Sequence, residues 1–163
     1  MERWAIQIDK EYLKYSCAHF LIFPDGSAER LHGHNYRVYV EVGGPLSEFG
    51  LVLDFQKTKP LIRDLVDALD EHWLIPGEHH ELTWNQRDDG VVEVRYRERY
   101  YAAPKEDVIV LPINNTSVEN MAAWLGRQLY KSLGEHFPEA QIDQMMLAVE
   151  ENPGQRGVWR LER

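Results

Sequence analysis

The chain contains little cysteine, little positive charge and no long hydrophobic run. Its single cysteine among 163 residues excludes an internal disulfide and favours a reducing cytoplasm. The net charge of -9 argues against nucleic acid as the main partner. No apolar run approaches the length of a membrane span, and the first residues lack the pattern of a signal peptide. These absences predict a cytoplasmic protein that binds neither nucleic acid nor a membrane.

Length and composition predict a single domain over residues 1–163. With 44% hydrophobic and 28% charged residues, the chain can bury a substantial core. It has no internal repeat, low-complexity segment or linker. Because the overall charge is negative, an anionic substrate would have to be held by local Lys or Arg side chains or by a metal.

Three histidines form the strongest chemical signal. His32 and His34 are one residue apart on an extended run and therefore share a face, which continues through Tyr36 towards the predicted core. His19 ends another strand-like run, and a hairpin would bring it alongside. Three neutral imidazoles without an obvious fourth protein ligand are typical of a catalytic zinc site. The alternative is that one or two of them cap the polar ends of strands, since the H-x-H pattern is common by chance.

The order of the predicted elements indicates an α+β fold with antiparallel pairing. Strands come first, followed by a helix capped by Asp54, whose regular part is expected to start near Thr58 because Pro60 is awkward inside a helix. A hairpin is expected next, with the alternating run 92–96 paired to the run 108–111. Thr116 and Glu119 have the spacing of a capping box and open the second helix, and two closing strands follow.

Several motifs, in order and spacing, resemble the 6-pyruvoyl-tetrahydropterin synthase family, which includes 6-carboxy-tetrahydropterin synthase. They are Ala18-His19-Phe20, His32-Gly33-His34-Asn35-Tyr36, Leu53-Asp54-Phe55, Leu69-Asp70, Thr116-Ser117-Val118-Glu119-Asn120-Met121-Ala122 and Ala148-Val149-Glu150. The resemblance implies the tunnelling fold, a four-stranded antiparallel sheet with two helices on one face. It also implies a small pterin substrate and a homo-oligomer, usually a hexamer, with active sites at subunit interfaces. Residues 76–112, approximately, look like an insertion that adds a hairpin.

The same resemblance assigns roles to individual residues. His19, His32 and His34 match the zinc ligands, and Glu150 matches the acid that anchors the pterin ring. Thr116 and Glu119 belong to a second family motif with a pterin contact, although helix capping accounts for them as well.

The expected catalytic machinery departs from the family pattern in two places. Ala28 stands where the usual catalytic cysteine is expected, and Cys17 is interpreted as a small buried hydrophobe. Glu29 looks like the glutamate that replaces the cysteine in one subgroup, where a carboxylate serves as the general base. The alternative for Glu29 is a solvated side chain after a turn.

The second departure concerns the family's Asp-His proton relay. Asp70 matches the aspartate, but Glu71 stands at the histidine position and His72 follows one residue later. On an extended segment this shift would turn His72 to the opposite face, whereas from an irregular loop it could still reach the site. Asp70 and His72 are therefore carried over as the expected relay.

The resulting functional prediction is a zinc-dependent carbon–oxygen or carbon–carbon lyase of pterin biosynthesis, in a folate or queuosine pathway. The substrate would be 7,8-dihydroneopterin triphosphate or a related pterin, and the glutamate favours release of 6-hydroxymethyl-dihydropterin. Two alternatives are a catalytically weak homologue that binds a pterin or purine, and a zinc enzyme with a different substrate.

Overall fold

The computed structural model describes residues 2–163. In chain order, the elements are β1 (Trp4–Ile8), β2 (Lys14–His19), β3 (His32–Gly44), α1 (Phe55–Asp67), β4 (His72–Pro76), β5 (Leu82–Gln86), β6 (Val91–Tyr96), β7 (Arg99–Pro104), a 3-10 turn (Lys105–Asp107), β8 (Val108–Leu111), α2 (Val118–His136), β9 (Gln144–Asn152) and β10 (Gln155–Glu162).

The centre of the fold is an antiparallel sheet in the order β10-β9-β3-β2. This arrangement confirms the predicted four-stranded antiparallel sheet. The sheet is extended by β1, which pairs with the second half of β3, and by β4 and β8, which add parallel pairs beyond β2. The 13-residue length of β3 explains how it accommodates both β2 and β1 along one edge.

Helix α1 begins earlier than expected. The side chain of Asp54 caps it, as predicted, by accepting a hydrogen bond from the Gln56 amide at 2.8 Å. The expectation that the regular part starts near Thr58 is wrong, because the helix runs from Phe55 with Pro60 inside it. Pro60 cannot donate to the carbonyl of Gln56, but Gln56 is exposed, so water can satisfy that group.

Helix α2 is capped by Ser117 and not by Thr116, which corrects the predicted capping box by one residue. The Ser117 hydroxyl accepts a hydrogen bond from the Asn120 amide at 3.3 Å. Thr116 is fully buried, and its hydroxyl donates to the carbonyl of Phe20 at 3.1 Å. Thr116 therefore ties the start of α2 to the residue that follows β2.

Both helices pack on one face of the sheet and enclose the main core. The core-facing side of β3 carries Tyr36, Val38, Val40 and Val42, each at most 2% exposed, as its period-2 alternation predicts. Helix α2 covers them with a stripe of buried residues. The predicted pair of helices on one side of the sheet is thus confirmed.

The segment 76–112 contains the predicted inserted hairpin, but its strands pair with other partners than expected. β6 lies between β5 and β7 in a separate three-stranded sheet, whereas β8 pairs in parallel with β4. The expected pairing of 92–96 with 108–111 is therefore wrong. The chain reverses between Tyr96 and Arg99 through Arg97, whose φ of 52° is left-handed. No glycine or asparagine signals this turn, and the apolar β8 instead fills a place in the main sheet.

The three-stranded sheet packs on the face opposite the helices. Leu74 of β4 belongs to the helix-side core, whereas its neighbours Trp73 and Ile75 belong to a second cluster with Val94 of β6. Successive residues of a strand point to opposite faces, so the two clusters lie on opposite sides of the main sheet. No helix among residues 2–163 has the length and apolar character needed to cross a membrane.

Candidate metal centre

Three imidazoles converge where β2 and β3 meet. His19 is directly opposite His32 in the antiparallel register, and His34 follows on the same face. The Nε2 atoms of His32 and His34 are 2.9 Å apart, and a carboxylate oxygen of Glu151 lies 2.7 Å from His34 Nε2. One ligand atom from each of these four residues lies within 4.8 Å of the others. The structure therefore brings the three predicted histidines together and adds an acidic residue.

Hydrogen bonds orient two of the rings. His19 Nδ1 lies 3.1 Å from the carbonyl oxygen of Thr116, and His32 Nδ1 lies 2.6 Å from that of Arg30. A carbonyl only accepts, so each Nδ1 carries the proton and each Nε2 presents a lone pair to the centre. Histidine ligands are normally held by this kind of outer hydrogen bond. Thr116 thus supports the site through its backbone.

The electrostatics of the centre favour neutral ligands. His19 is 1% exposed, and burial lowers its pKa to about 4. Neutral imidazole is the form that binds a metal. Burial also raises the pKa of Tyr36, whose hydroxyl lies 2.9 Å from His19 Nε2.

Ligand atoms around a tetrahedral zinc lie about 3.3 Å apart, given bonds of roughly 2.0–2.1 Å. The observed separations and donor types therefore fit this ion.

Glu151 is the functional candidate that sequence reasoning missed. On β9 it is adjacent to Glu150, and consecutive strand residues point to opposite faces. Leu147 and Val149 belong to the helix-side core, and Glu151 is the next position on that side of β9. Residues 145–149 are apolar throughout, so the sequence shows no alternation here, and only the pairing of β9 with β3 places its end beside His34.

Glu29 lies next to the imidazoles without being part of the ligand cluster. Its carboxylate accepts a hydrogen bond from the Leu21 amide at 3.1 Å, and the same oxygen is 3.7 Å from His32 Nε2. Its own amide donates to the carbonyl of Leu21 at 2.9 Å. Arg99 of β7 donates to the carbonyl oxygens of Ala28, at 2.7 Å, and of Glu29. Glu29 is thus held on both sides, by the chain after β2 and by the three-stranded sheet.

Cys17 is buried, as expected, with 4% of its surface exposed. Burial raises the pKa of its thiol to about 12. At neutral pH such a cysteine is a thiol and not a thiolate, so it lacks the form in which cysteine acts as a base or nucleophile.

Asp70 and His72 make separate contacts. The Asp70 carboxylate accepts a hydrogen bond from the Ser16 amide at 2.7 Å. His72 Nδ1 lies 2.6 Å from the backbone carbonyl of Asp70, so the imidazole contacts the backbone of that residue and not its carboxylate. Glu71 between them has a left-handed φ of 58°, which interrupts the extended chain. His72 is then paired with Cys17 in the parallel register, one strand further from His34.

Comparison with known proteins agrees with this fold and identifies its family. Residues 7–161 match the protein family described as 6-pyruvoyl tetrahydropterin synthase. The chain belongs to this family. A Methanocaldococcus jannaschii relative, named as a candidate 6-carboxy-5,6,7,8-tetrahydropterin synthase, is 29% identical, with 91% of this chain and 90% of the relative covered. A Pyrococcus abyssi relative with the same name is 28% identical over 79% of this chain and 77% of its own.

Solved structures of the 6-pyruvoyl tetrahydropterin synthase family share the whole architecture. The synthase of Plasmodium vivax superposes with a TM-score of 0.92 at 25% identity, with 100% of each chain covered. Two further structures of that Plasmodium protein carry alanine or cysteine in place of a glutamate described as a catalytic residue. The tunnelling fold predicted for this chain is thereby confirmed.

In this member of the family, the residues expected to bind the pterin are spread over different surfaces. Glu150 lies on the sheet face away from the histidines, where Arg156 at 2.6 Å and the Tyr39 hydroxyl at 3.0 Å donate to its carboxylate. The hydrogen bond from Arg156 is the main cause of the lowered pKa of Glu150. Glu119 is exposed in the first turn of α2. Glu150 and Glu119 therefore do not join the metal cluster within one chain.

Proposed function

We propose that this protein is a zinc-dependent lyase of pterin biosynthesis, with 7,8-dihydroneopterin triphosphate or a close relative as its substrate. The observation that carries the proposal is the convergence of the three imidazoles with the Glu29 carboxylate beside them. Membership of the 6-pyruvoyl tetrahydropterin synthase family supports the substrate class.

The role proposed for each residue follows from its contacts. His19, His32 and His34 would hold the zinc, which would supply Lewis acidity to hydroxyl groups on the substrate side chain. Glu29 is the proposed general base, since its carboxylate lies 3.7 Å from His32 Nε2 and outside the ligand cluster. The amide of Leu21 fixes the orientation of that carboxylate by donating to one of its oxygens.

Glu29 favours 6-hydroxymethyl-dihydropterin as the product. The Plasmodium vivax synthase, with its catalytic glutamate and its TM-score of 0.92, supports a catalytic role for a glutamate in this chain. The names of the archaeal relatives favour a second candidate, 6-carboxy-tetrahydropterin synthesis. The buried thiol of Cys17, with its pKa of about 12, argues against any route that needs a thiolate from this chain.

Glu150 is proposed to recognise the pterin ring, and Asp70 with His72 to relay protons. A carboxylate has about four acceptor positions, so Glu150 can receive the amino-pyrimidine edge while it keeps Arg156 or Tyr39. None of these three residues belongs to the metal cluster of its own chain. A homohexamer with sites between subunits would let them serve a neighbouring centre, and light scattering coupled to size-exclusion chromatography measures that assembly.

The function is tested by incubating the zinc-loaded protein with dihydroneopterin triphosphate and identifying the products by mass spectrometry. A 6-hydroxymethyl product supports the Glu29 route, and a 6-carboxy or pyruvoyl product assigns the chemistry to another group. Bound zinc and pterin affinity without any product would instead indicate a binding homologue or a different substrate.

A Glu29→Gln variant tests the base directly. We expect it to lose turnover while its zinc content stays at the wild-type level, because Glu29 is outside the ligand cluster. Full activity in this variant would mean that Glu29 is not the base.

A further inference from the structure

We propose that Glu151 is a fourth protein ligand of the metal in the substrate-free protein. This inference rests on the metal site of the proposed function and extends it. It gives the resting centre three nitrogen ligands and one carboxylate oxygen. A site with three histidines alone would instead leave its fourth position to solvent.

The position of Glu151 carries the proposal. One of its carboxylate oxygens lies 2.7 Å from His34 Nε2 and 3.7 Å from His19 Nε2, which are two of the three ring nitrogens of the cluster. Within residues 2–163, no Lys or Arg side chain forms an ion pair with this carboxylate. The Glu151 carboxylate is 23% exposed, and its charged-group partners are imidazoles. A cation bound between the carboxylate and these imidazoles would compensate its negative charge.

Two other glutamates near the end of β9 and before β3 have different partners. Glu150 is occupied by Arg156 and Tyr39 on the opposite face of the sheet. The Glu29 carboxylate accepts a hydrogen bond from the Leu21 amide and lies 3.7 Å from His32 Nε2. Of the three carboxylates, Glu151 alone lies at ligand spacing from the imidazoles. This separation assigns metal binding to Glu151 and leaves Glu29 free for proton transfer.

The place of Glu151 in the fold allows its carboxylate to leave the metal. It is the second-last residue of β9, near the hairpin turn that contains Gly154 with a left-handed φ of 82°, and a register shift leaves it without a Cα partner on β10. A substrate that needs the same coordination position would have to displace this carboxylate. Glu151 would then act as a replaceable ligand that occupies the centre until substrate arrives.

The experiment uses metal alone and needs no pterin. Wild type, Glu151→Gln, Glu151→Ala and the matched control Glu150→Gln are each titrated with Zn²⁺ in competition with a chromogenic chelator. Their Co²⁺ complexes are compared by visible absorption, which responds to the number and type of ligands. Circular dichroism and thermal melting of the metal-free proteins establish that each variant is folded.

We expect both Glu151 variants to bind Zn²⁺ roughly 10- to 100-fold more weakly, the range that supporting groups contribute to metal sites, and to change the Co²⁺ spectrum. Glu150→Gln, whose side chain lies on the other face, should keep the wild-type affinity and spectrum. If Glu151→Gln matches wild type in both measurements, Glu151 is not a ligand, although the proposed function stands. If wild type itself binds no metal, the proposed function fails together with this inference.

Discussion

Replacement of Arg99 by alanine tests how the three-stranded sheet supports the candidate site. The half-buried guanidinium of Arg99 donates to the backbone carbonyls of Ala28 and Glu29. A hydrogen bond that involves a charged group contributes about 1.5–3 kcal/mol, and partial exposure reduces the sum of two such bonds. We therefore expect a loss of about 2 kcal/mol in the free energy of unfolding. For a chain of this size, that corresponds to a fall in Tm of roughly 4–8 °C.

The same substitution should affect catalysis through Glu29. Because Arg99 contacts the backbone that carries Glu29, its loss should displace the carboxylate without touching the imidazoles. A misplacement of about 1 Å can cost roughly 100-fold in rate. We expect kcat to fall by about 10- to 100-fold, with unchanged zinc content and little change in KM.

Arg87→Ala, in the loop that joins β5 to β6, provides the matched control. Arg87 forms an exposed ion pair with Asp89, and such pairs contribute at most about 1 kcal/mol. Thermal melting and steady-state kinetics of the two variants test whether Arg99 stabilises the fold and positions Glu29. Equal Tm and equal kcat for Arg99→Ala and Arg87→Ala would refute the argument that Arg99 positions Glu29.

Further predictions concern packing, the thiol and the outer sheet face. Gly126→Ala should lower Tm, because an added Cβ would lie 2.1 Å from Trp159, whereas Gly134→Ala on the same helix meets nothing within 4 Å and should gain up to about 1 kcal/mol. Cys17→Ala should keep activity and lose about 1 kcal/mol in urea unfolding; a loss of turnover with native folding would contradict the assigned packing role. Arg156→Met should raise the pKa of Glu150 towards its ordinary value, as measured by NMR titration. Since the pKa of Glu150 is lowered in the folded state, the Glu150–Arg156 pair stabilises the protein at pH values above the unfolded carboxyl pKa. This stabilisation is lost as pH falls through the folded pKa, so the free energies of unfolding of variant and wild type should converge in acid.

The sequence was sufficient to predict the parts of the fold that depend on simple periodicity. Alternation along β3 placed His32 and His34 on the core-facing side with Tyr36, and Asp54 marked the start of α1. The turn at Arg97 was not predictable from residue type, because arginine rarely adopts a left-handed backbone. Because this turn pairs β6 with β7, β8 pairs with β4 in the main sheet and not with β6. Missing the turn therefore led to the wrong partner for β8.

The candidate site was predictable to a similar extent. The histidines could be found from spacing and family resemblance, whereas Glu151 depends on how the end of β9 lies against β3, which is a long-range pairing. The cap of α2 differed by one residue because burial of Thr116, and its bond to Phe20, decide between two adjacent hydroxyl residues. Local sequence patterns do not contain such tertiary preferences.

The position of Cys17 between two strands has a consequence for the durability of the centre. Cys17 is the Cα partner of His34 on one side and of His72 on the other, so it lies on the strand between two imidazole-bearing strands, and its side chain packs into the helix-side core. Because its thiol is buried and protonated, it is shielded from peroxide and alkylating agents. The one sulfhydryl group of the chain is thus a packing group. The metal centre proposed above would use imidazole and carboxylate ligands, so it should keep working under oxidative conditions that inactivate thiolate enzymes.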